Sequence, residues 1–157
     1  MKDVCGKLEE DFSSIIKTRD ICGLYILDDG IDRELDDRWK DILAKMDFVI
    51  VQGYAMTELA KSAHILLPGL APFEREGTIT NEKGRIQWLR PSLTTKGDSK
   101  PDWEILMLVR NALDKESDHF ADLGEVIKKM SEQFSSYSEI SLFKIGTHGM
   151  VLNGKSN

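Results

Sequence analysis

The stretch 48-FVIVQGYAMTELAKSAHILLPG-69 decides the fold class of this chain. Its opening run, FVIVQ, has the length of a strand and the continuous apolar character of one covered on both faces. Thr57 is a suitable N-cap for a short helix, TELAKSA, and 64-HILLP-68 is typical of a further strand that ends at its proline. A strand, a helix and a strand in this order predict a parallel pair joined by a right-handed crossover.

Residues upstream of this stretch add one more strand and helix. The run 21-ICGLYIL-27 predicts a first strand, and an acidic loop follows it. Residues 33–46 predict a helix, because five apolar residues fall on one stripe: Leu35, Trp39, Ile42, Leu43 and Met46. Residues 8–16 predict another amphipathic helix. The fold class is therefore α/β, with a parallel sheet of about three strands and flanking helices.

The downstream half predicts one strand and two long helices. The segment 85-RIQWLRP-91 has the pattern of a strand outside the parallel set. After a polar linker, Asp102 is expected to cap the helix WEILMLVRNAL, which is apolar nearly all round and should be buried. A second helix is amphipathic, with Leu123, Val126, Ile127, Met130 and Phe134 on one face. We expect a partial α/β domain at residues 1–91, a helical extension packing on it at 92–150 and a disordered tail at 151–157.

Composition narrows the classes of function. The chain has 157 residues, 41% of them hydrophobic and 31% charged, which is typical of one soluble globular domain. A net charge of −6 argues against nucleic acid and anionic membranes as partners. The apolar runs are too short to span a bilayer and the first residues lack the apolar core of a signal peptide, so we expect a cytoplasmic protein without membrane insertion. Cys5 and Cys22 do not form a cluster motif, and Cys22 is expected to be a small core residue.

Polar residues follow each predicted parallel strand. Ligands of open parallel sheets bind beyond the carboxyl ends of the strands, which here are 28-DDG-30, 52-QGY-54 and 68-PG-69. A helix that starts near Thr57 would direct its free N–H groups to the same edge, as an anion site requires. Neither a GxGxxG nor a Walker motif is present in the sequence, so phosphate binding rests on this geometry alone.

Acidic and histidine residues do not predict a catalytic or metal site. The acidic run (Asp28, Asp29, Asp32, Glu34, Asp36 and Asp37) lacks EF-hand spacing, and a solvated helix start is the better interpretation. The three histidines, His64, His119 and His148, have no evident nucleophile or carboxylate partner. We therefore assign no catalytic residue and no metal ligand.

The stretch 73-FEREGTITNEKGRIQ-87 leaves two interpretations open, a solvent-facing hairpin and the wall of a site for a charged ligand. Gly77 and Gly84 suit turn positions with positive φ. Asn81 suits the centre of a turn.

Five blocks in one order give the chain a family resemblance. It resembles the molybdopterin oxidoreductases, in particular formate dehydrogenase large subunits and the related large subunit of bacterial NADH:quinone oxidoreductase. The blocks are LYIL, DFVIVQ, MTELAKSAHILLPG, EREGTITNEKGRIQ and KPDWEIL. The resemblance implies the later part of a Rossmann-like domain, which in the family holds one guanine dinucleotide arm of the cofactor. The family's iron–sulfur cysteines and its molybdenum or tungsten ligand segment have no counterpart in this sequence.

The same resemblance implies candidate cofactor-binding residues, which are Gln52, Thr57 and Glu58. Two positions depart from the family pattern. Asp28 stands where the family has a glycine close to the cofactor, and Gly53 stands where it has an aspartate that resembles a partner for the guanine N–H groups. His64 likewise replaces a usual aspartate. A lost acceptor leaves buried donors unpaired, at about 1–3 kcal/mol each.

We therefore expect a non-catalytic or accessory part of a formate dehydrogenase-like or NADH dehydrogenase-like complex, a scaffold with a degenerate cofactor edge. Its partners would be iron–sulfur and flavin proteins, and residues 73–87 would be a docking surface. No cofactor is expected on this chain alone. One alternative is a segment that holds molybdopterin guanine dinucleotide, with molybdenum or tungsten, in an active formate dehydrogenase completed by another chain. Another alternative is a free-standing small nucleotide-binding module.

Overall fold

The computed structural model describes residues 21–95, 97–113 and 119–152. The helix predicted at 8–16, Cys5, and residues 153–157 of the predicted tail lie outside the described residues. The described chain divides into two compact units. We call residues 21–71, 95 and 97–106 the parallel unit, and residues 72–94, 107–113 and 119–152 the antiparallel unit. The predicted domain boundary at residue 91 stays a prediction.

The parallel unit contains the three predicted parallel strands. They are β1 (Gly23–Leu27), β2 (Phe48–Gly53) and β3 (Ile65–Pro68), and β2 lies in the centre. Tyr25 is opposite Ile50, which is in turn opposite Ile65. β2 is the most buried of the three, as its unbroken apolar run predicted. The α/β fold class is thus confirmed.

Two helices accompany this sheet, α1 (Asp37–Leu43) and α2 (Glu58–Lys61). α1 begins later than predicted because the carboxylate of Asp36 accepts from the Trp39 N–H at 2.8 Å and caps the helix there. Thr57 caps α2 as predicted, accepting from the Ala60 N–H at 3.1 Å. The buried core of this unit consists of Met46, Val49, Val51 and Ala60.

The antiparallel unit contains a second sheet, of which only one strand was predicted. Its strands are β4 (Gly77–Thr80), β5 (Arg85–Leu89) and β6 (Met150–Val151), in that order. Asn81 closes the β4–β5 turn, because its side-chain oxygen accepts from the N–H groups of Lys83 and Arg85, both at 3.0 Å. Gly84 has the positive φ expected of a turn glycine, 74°. Gly77 instead begins β4, so that part of the turn prediction was wrong.

Helices complete both units. They are α3 (Asp102–Leu113), α4 (Leu123–Gln133), a 3-10 turn (Ser135–Tyr137) and α5 (Leu142–Ile145). α4 is amphipathic as predicted, and its Ile127 belongs to the buried core of the antiparallel unit with Ile86, Tyr137, Ile140 and Ile145. The expectation of a fully buried α3 was wrong, since only Ile105 is buried there and Leu113 is 85% exposed.

Cys22 also departs from its prediction. It is exposed rather than part of the core. It precedes β1, and its backbone oxygen accepts from the N–H groups of Asp47 and Phe48. Across the described ranges, no helix has the length and apolar character that crossing a bilayer requires.

Candidate functional site

The candidate site is the edge of the parallel sheet at the carboxyl ends of its strands. The backbone hydrogen-bond ladder continues past the strands. The Asp28 N–H donates to the backbone oxygen of Gln52 at 2.8 Å, and the Gly69 N–H donates to the backbone oxygen of Gly53 at 2.9 Å. These bonds align the three polar strand ends that the sequence indicated. Every candidate residue of the site lies in the parallel unit.

Gln52 is the most buried polar residue of this edge, with 1% of its surface exposed. Its side-chain oxygen accepts from the Tyr25 hydroxyl. Its amide nitrogen donates to the Asp102 carboxylate at 2.8 Å. Buried polar groups generally have such partners, and here Gln52 connects β1, β2 and the start of α3. Asp102, expected as a cap, is the first residue of α3.

The Tyr25 hydroxyl belongs to this network and has a raised pKa. Burial, and secondly the negative charge of Asp102, raise the pKa of Tyr25 above its ordinary value. Both effects favour the neutral phenol, which can donate to Gln52.

Thr57 is also buried, with 2% of its surface exposed. Its hydroxyl accepts from the Ala60 N–H as the cap of α2 and donates to a carboxylate oxygen of Asp28. The other oxygen of Asp28 accepts from the Gly30 N–H at 3.1 Å. The Thr57 hydroxyl thus uses its single donor and one of its two acceptor lone pairs within the chain.

Glu58, the third candidate, is exposed. Its backbone N–H, at the start of α2, donates to the Asp32 carboxylate at 3.0 Å. Its own carboxylate accepts from the Lys61 ammonium at 2.6 Å, and this bond raises the pKa of Lys61. The sequence predicted an anion site at the free N–H groups that begin α2. The N–H group of Glu58 is instead bonded to the Asp32 carboxylate of the chain itself.

The loop after β1 fixes the remaining acids by local bonds. Arg33 pairs with Asp29 at 2.8 Å, and this bond, followed by the one from the Ile31 N–H, lowers the pKa of Asp29. The Tyr54 hydroxyl donates to the backbone oxygen of Asp29 at 3.0 Å. Within the part of the chain that the structure describes, no three His, Cys, Asp or Glu side chains are placed to share a metal ion.

Gly53 and Asp28 are in close contact. A Cβ atom added at Gly53 would lie 3.1 Å from the Asp28 Cβ and 3.8 Å from its Cγ. The two positions that depart from the family pattern are therefore neighbours across β1 and β2, which the sequence alone did not indicate.

A small cavity of about 320 Å³ lies beside Asp28 and Thr57. Its apolar lining consists of Ile31, Leu35, Trp39 and Leu59. This volume is at the lower limit of small-molecule sites, which range from about 300 to 1,000 Å³. The sequence pattern of Leu35 and Trp39 indicated only a helix face and gave no sign of the cavity.

His64 has a structural contact that the sequence analysis did not anticipate. Its Nδ1 atom accepts from the Val49 N–H at 3.0 Å, and its ring stacks on Phe48 with the centroids 6.1 Å apart. A carboxylate oxygen could accept the same bond, so this contact is compatible with the aspartate that the resemblance implied at this position as well as with histidine.

Comparison with known proteins gives one family and several relatives. The family model for molybdopterin oxidoreductase matches residues 5–111. The chain is 32% identical over 112 residues to the alpha subunit of F420-dependent formate dehydrogenase 2 from Methanococcus maripaludis, covering 69% of this chain and 16% of that protein. It is 35% identical over 128 residues to a Staphylococcus haemolyticus protein whose provisional name is formate dehydrogenase, covering 80% of this chain and 13% of that protein. The chain thus spans less than a fifth of the length of these relatives.

Proposed function

This chain belongs to the molybdopterin oxidoreductase family, and from that premise we propose that it is a non-catalytic structural part of a formate dehydrogenase-like oxidoreductase. Family membership implies a molybdopterin cofactor in the complete proteins. Because the chain matches only 16% and 13% of the length of the two relatives, redox chemistry would belong to the larger assembly.

The main support for this proposal is that the polar groups at the sheet edge hydrogen-bond to other groups of the chain. Gln52 and Thr57 are 1% and 2% exposed and hydrogen-bond to Tyr25, Asp102, Asp28 and Ala60. A guanine dinucleotide arm needs acceptors for its N–H groups and donors for its phosphates. At this edge the donors of Thr57 and Glu58 already bind the carboxylates of Asp28 and Asp32, so these residues do not fit the arm.

The charge of the same two carboxylates supports the proposal independently. Two like charges about 4 Å apart repel each other by about 4 kcal/mol at an effective dielectric of about 20. A phosphate beside Asp28 and Asp32 would meet this repulsion unless a cation lay between them.

As a structural part, the chain would dock on iron–sulfur and flavin proteins of a cytoplasmic redox complex. The hairpin at residues 73–87 is our candidate docking surface. It exposes two large apolar side chains, Phe73 at 66% and Ile79 at 56%. Single exposed apolar side chains are common on protein surfaces. Several on one surface indicate an interaction site, because binding a partner removes them from water.

Calorimetric titration of GDP into the chain tests the loss of the cofactor edge. We expect no heat of binding up to millimolar GDP and no change in the amide resonances of Gly53 and Thr57. ADP is the control for nonspecific effects. Saturable binding of GDP but not ADP, with shifts at these two amides, would contradict the proposal.

Native purification through a tag on the chain tests the docking role. Iron–sulfur and flavin proteins should co-purify, and substituting Phe73 and Ile79 by serine should weaken their capture. Matched serine substitutions at two residues exposed outside the hairpin, Leu27 and Met56, should not. A stable monomer without partners would count against a structural role.

The relatives favour one second candidate, a segment that holds the cofactor arm in a working enzyme. The observation for it is the 32% identity over 112 residues to a formate dehydrogenase alpha subunit. This candidate requires guanine dinucleotide and molybdenum or tungsten in the complex purified through the chain. Photocrosslinking of the nucleotide within that complex separates the two candidates, because a structural part is expected to carry no crosslink on its own residues even where other chains of the assembly hold the cofactor.

A further inference from the structure

We propose that Asp28 is the residue that closes this sheet edge to a guanine nucleotide, because positions 28 and 53 share one side-chain space and Asp28 occupies it. This inference rests on the proposed loss of the cofactor edge and names its cause. It makes Asp28 a specificity-determining residue and Gly53 its obligatory small neighbour.

The first observation is steric. A Cβ atom at position 53 would lie 3.1 Å from the Asp28 Cβ, closer than side chains normally pack. Gly53 is not among the glycines with positive φ, so its backbone would accept other residues. The neighbouring side chain, rather than the conformation of Gly53, therefore restricts this position.

The second observation is that Asp28 cannot move aside without losing bonds. Its N–H donates to the backbone oxygen of Gln52 at 2.8 Å. Its carboxylate accepts from the Gly30 N–H at 3.1 Å and from the buried Thr57 hydroxyl. The loop that carries it is fixed further by the bonds from Tyr54 to Asp29 and from Glu58 to Asp32.

The third observation concerns the chemistry of the carboxylate. Both Asp28 oxygens already accept hydrogen bonds from the chain, and a phosphate nearby would be repelled. A glycine at position 28 would remove the charge and open the space beside position 53. An aspartate at 53 would then bring an acceptor to β2 without the Cβ contact to Asp28.

A mutant cycle in thermal stability tests the shared space. In the wild type, Gly53→Ala should lower Tm by at least about 2 °C, as overpacking does. In an Asp28→Gly background the same change should leave Tm unchanged or raise it by about 1–2 °C, because alanine restricts the unfolded chain. In an Asp28→Ala background the loss should persist, since the Cβ atom at position 28 remains.

Asp29→Gly is the matched control for this cycle. Asp29 lies in the same loop, but the three atoms nearest to a Cβ at position 53 all belong to Asp28. Gly53→Ala should therefore lower Tm in this background as in the wild type. If Gly53→Ala lowers Tm equally in the Asp28→Gly background and in the wild type, the claim that positions 28 and 53 share one side-chain space is wrong.

Calorimetry with GDP tests specificity. The double variant Asp28→Gly/Gly53→Asp should bind GDP at least about tenfold more tightly than either single variant, as expected when guanine donors gain an acceptor. Inosine diphosphate, which lacks the 2-amino group, should bind less tightly than GDP.

Each result has its own consequence. Wild-type binding of GDP would overturn the proposed function and this inference together. A folded double variant that shows no GDP binding in calorimetry would overturn the inference while leaving the proposed function intact. If the double variant does not fold, the mutant cycle decides, because its variants change the same space without placing a charge at position 53.

Discussion

The strand-end edge of the parallel unit and the β4–β5 turn of the antiparallel unit use polar side chains differently. In the parallel unit, buried Gln52 and Thr57 bind groups from distant segments, Asp102 and Asp28. In the antiparallel unit, Asn81 binds N–H groups two and four residues along the chain. Parallel strands bring distant loops together at one edge, whereas a hairpin turn needs only local bonds. On our proposal, a sheet edge suited to ligands is here filled by the chain's own groups, which contribute to the stability of the unit.

Removal of core volume should have the largest effect, and it should be similar in both units. Ile86 in β5 is fully buried, with 0% exposure. Ile86→Ala should lower the free energy of unfolding by about 2–5 kcal/mol, because it removes apolar contacts and leaves a cavity. Urea denaturation measures this loss.

Ile79→Ala is the control on the neighbouring strand, where the side chain is 56% exposed. Its effect should stay within about 0.5 kcal/mol. Equal losses for the two variants would mean that β5 does not form the core of the antiparallel unit.

Gln52→Ala should have the next largest effect, and it addresses the parallel unit directly. The Tyr25 hydroxyl would lose its acceptor and Asp102 would lose a donor. The expected loss in the free energy of unfolding is about 1–3 kcal/mol. Gln87→Ala is the matched control, because Gln87 is exposed on β5. A loss below that of Gln87→Ala would show that the edge network does not stabilise the unit.

The sequence predicted the strands of the parallel unit because each is a local apolar run. It identified β5 from the strand pattern of 85-RIQWLRP-91. It missed β4 and β6, since the polar 77-GTIT-80 and the two-residue Met150–Val151 become strands only through pairing with β5. Short or polar segments have little signal of their own, because their strand character depends on neighbours distant in sequence.

The site was predictable in position and not in its contacts. The strand ends and the Thr57 cap follow from local patterns, whereas the bond from Gln52 to Asp102 joins residues 50 positions apart. The same holds for Asp28 and Gly53, whose contact depends on the register of β1 against β2. Such pairs cannot be derived from one sequence by spacing.

Asn81→Ala should have a smaller effect, because its bonds are local. It removes the acceptor for the N–H groups of Lys83 and Arg85 at a solvent-facing turn. We expect a loss of about 1 kcal/mol in the free energy of unfolding. Asn81→Asp keeps an acceptor at this position and should remain near the wild type. A loss from Asn81→Ala that exceeds that from Gln52→Ala would reverse the contrast between the two units.

The smallest expected effect is a pH dependence at Tyr25. Burial first, and the charge of Asp102 second, raise its pKa above 10.0. The folded state therefore keeps the proton more tightly than the unfolded state, so this contribution to stability is fully present below pH 10.0 and is lost as pH rises through the raised pKa. The difference in urea midpoint between the wild type and Tyr25→Phe should be constant up to about pH 9 and shrink above about pH 10. Parallel curves across this range would show that the phenol of Tyr25 ionises alike in both states, and the buried edge would then lack the electrostatic character that distinguishes it from the Asn81 turn.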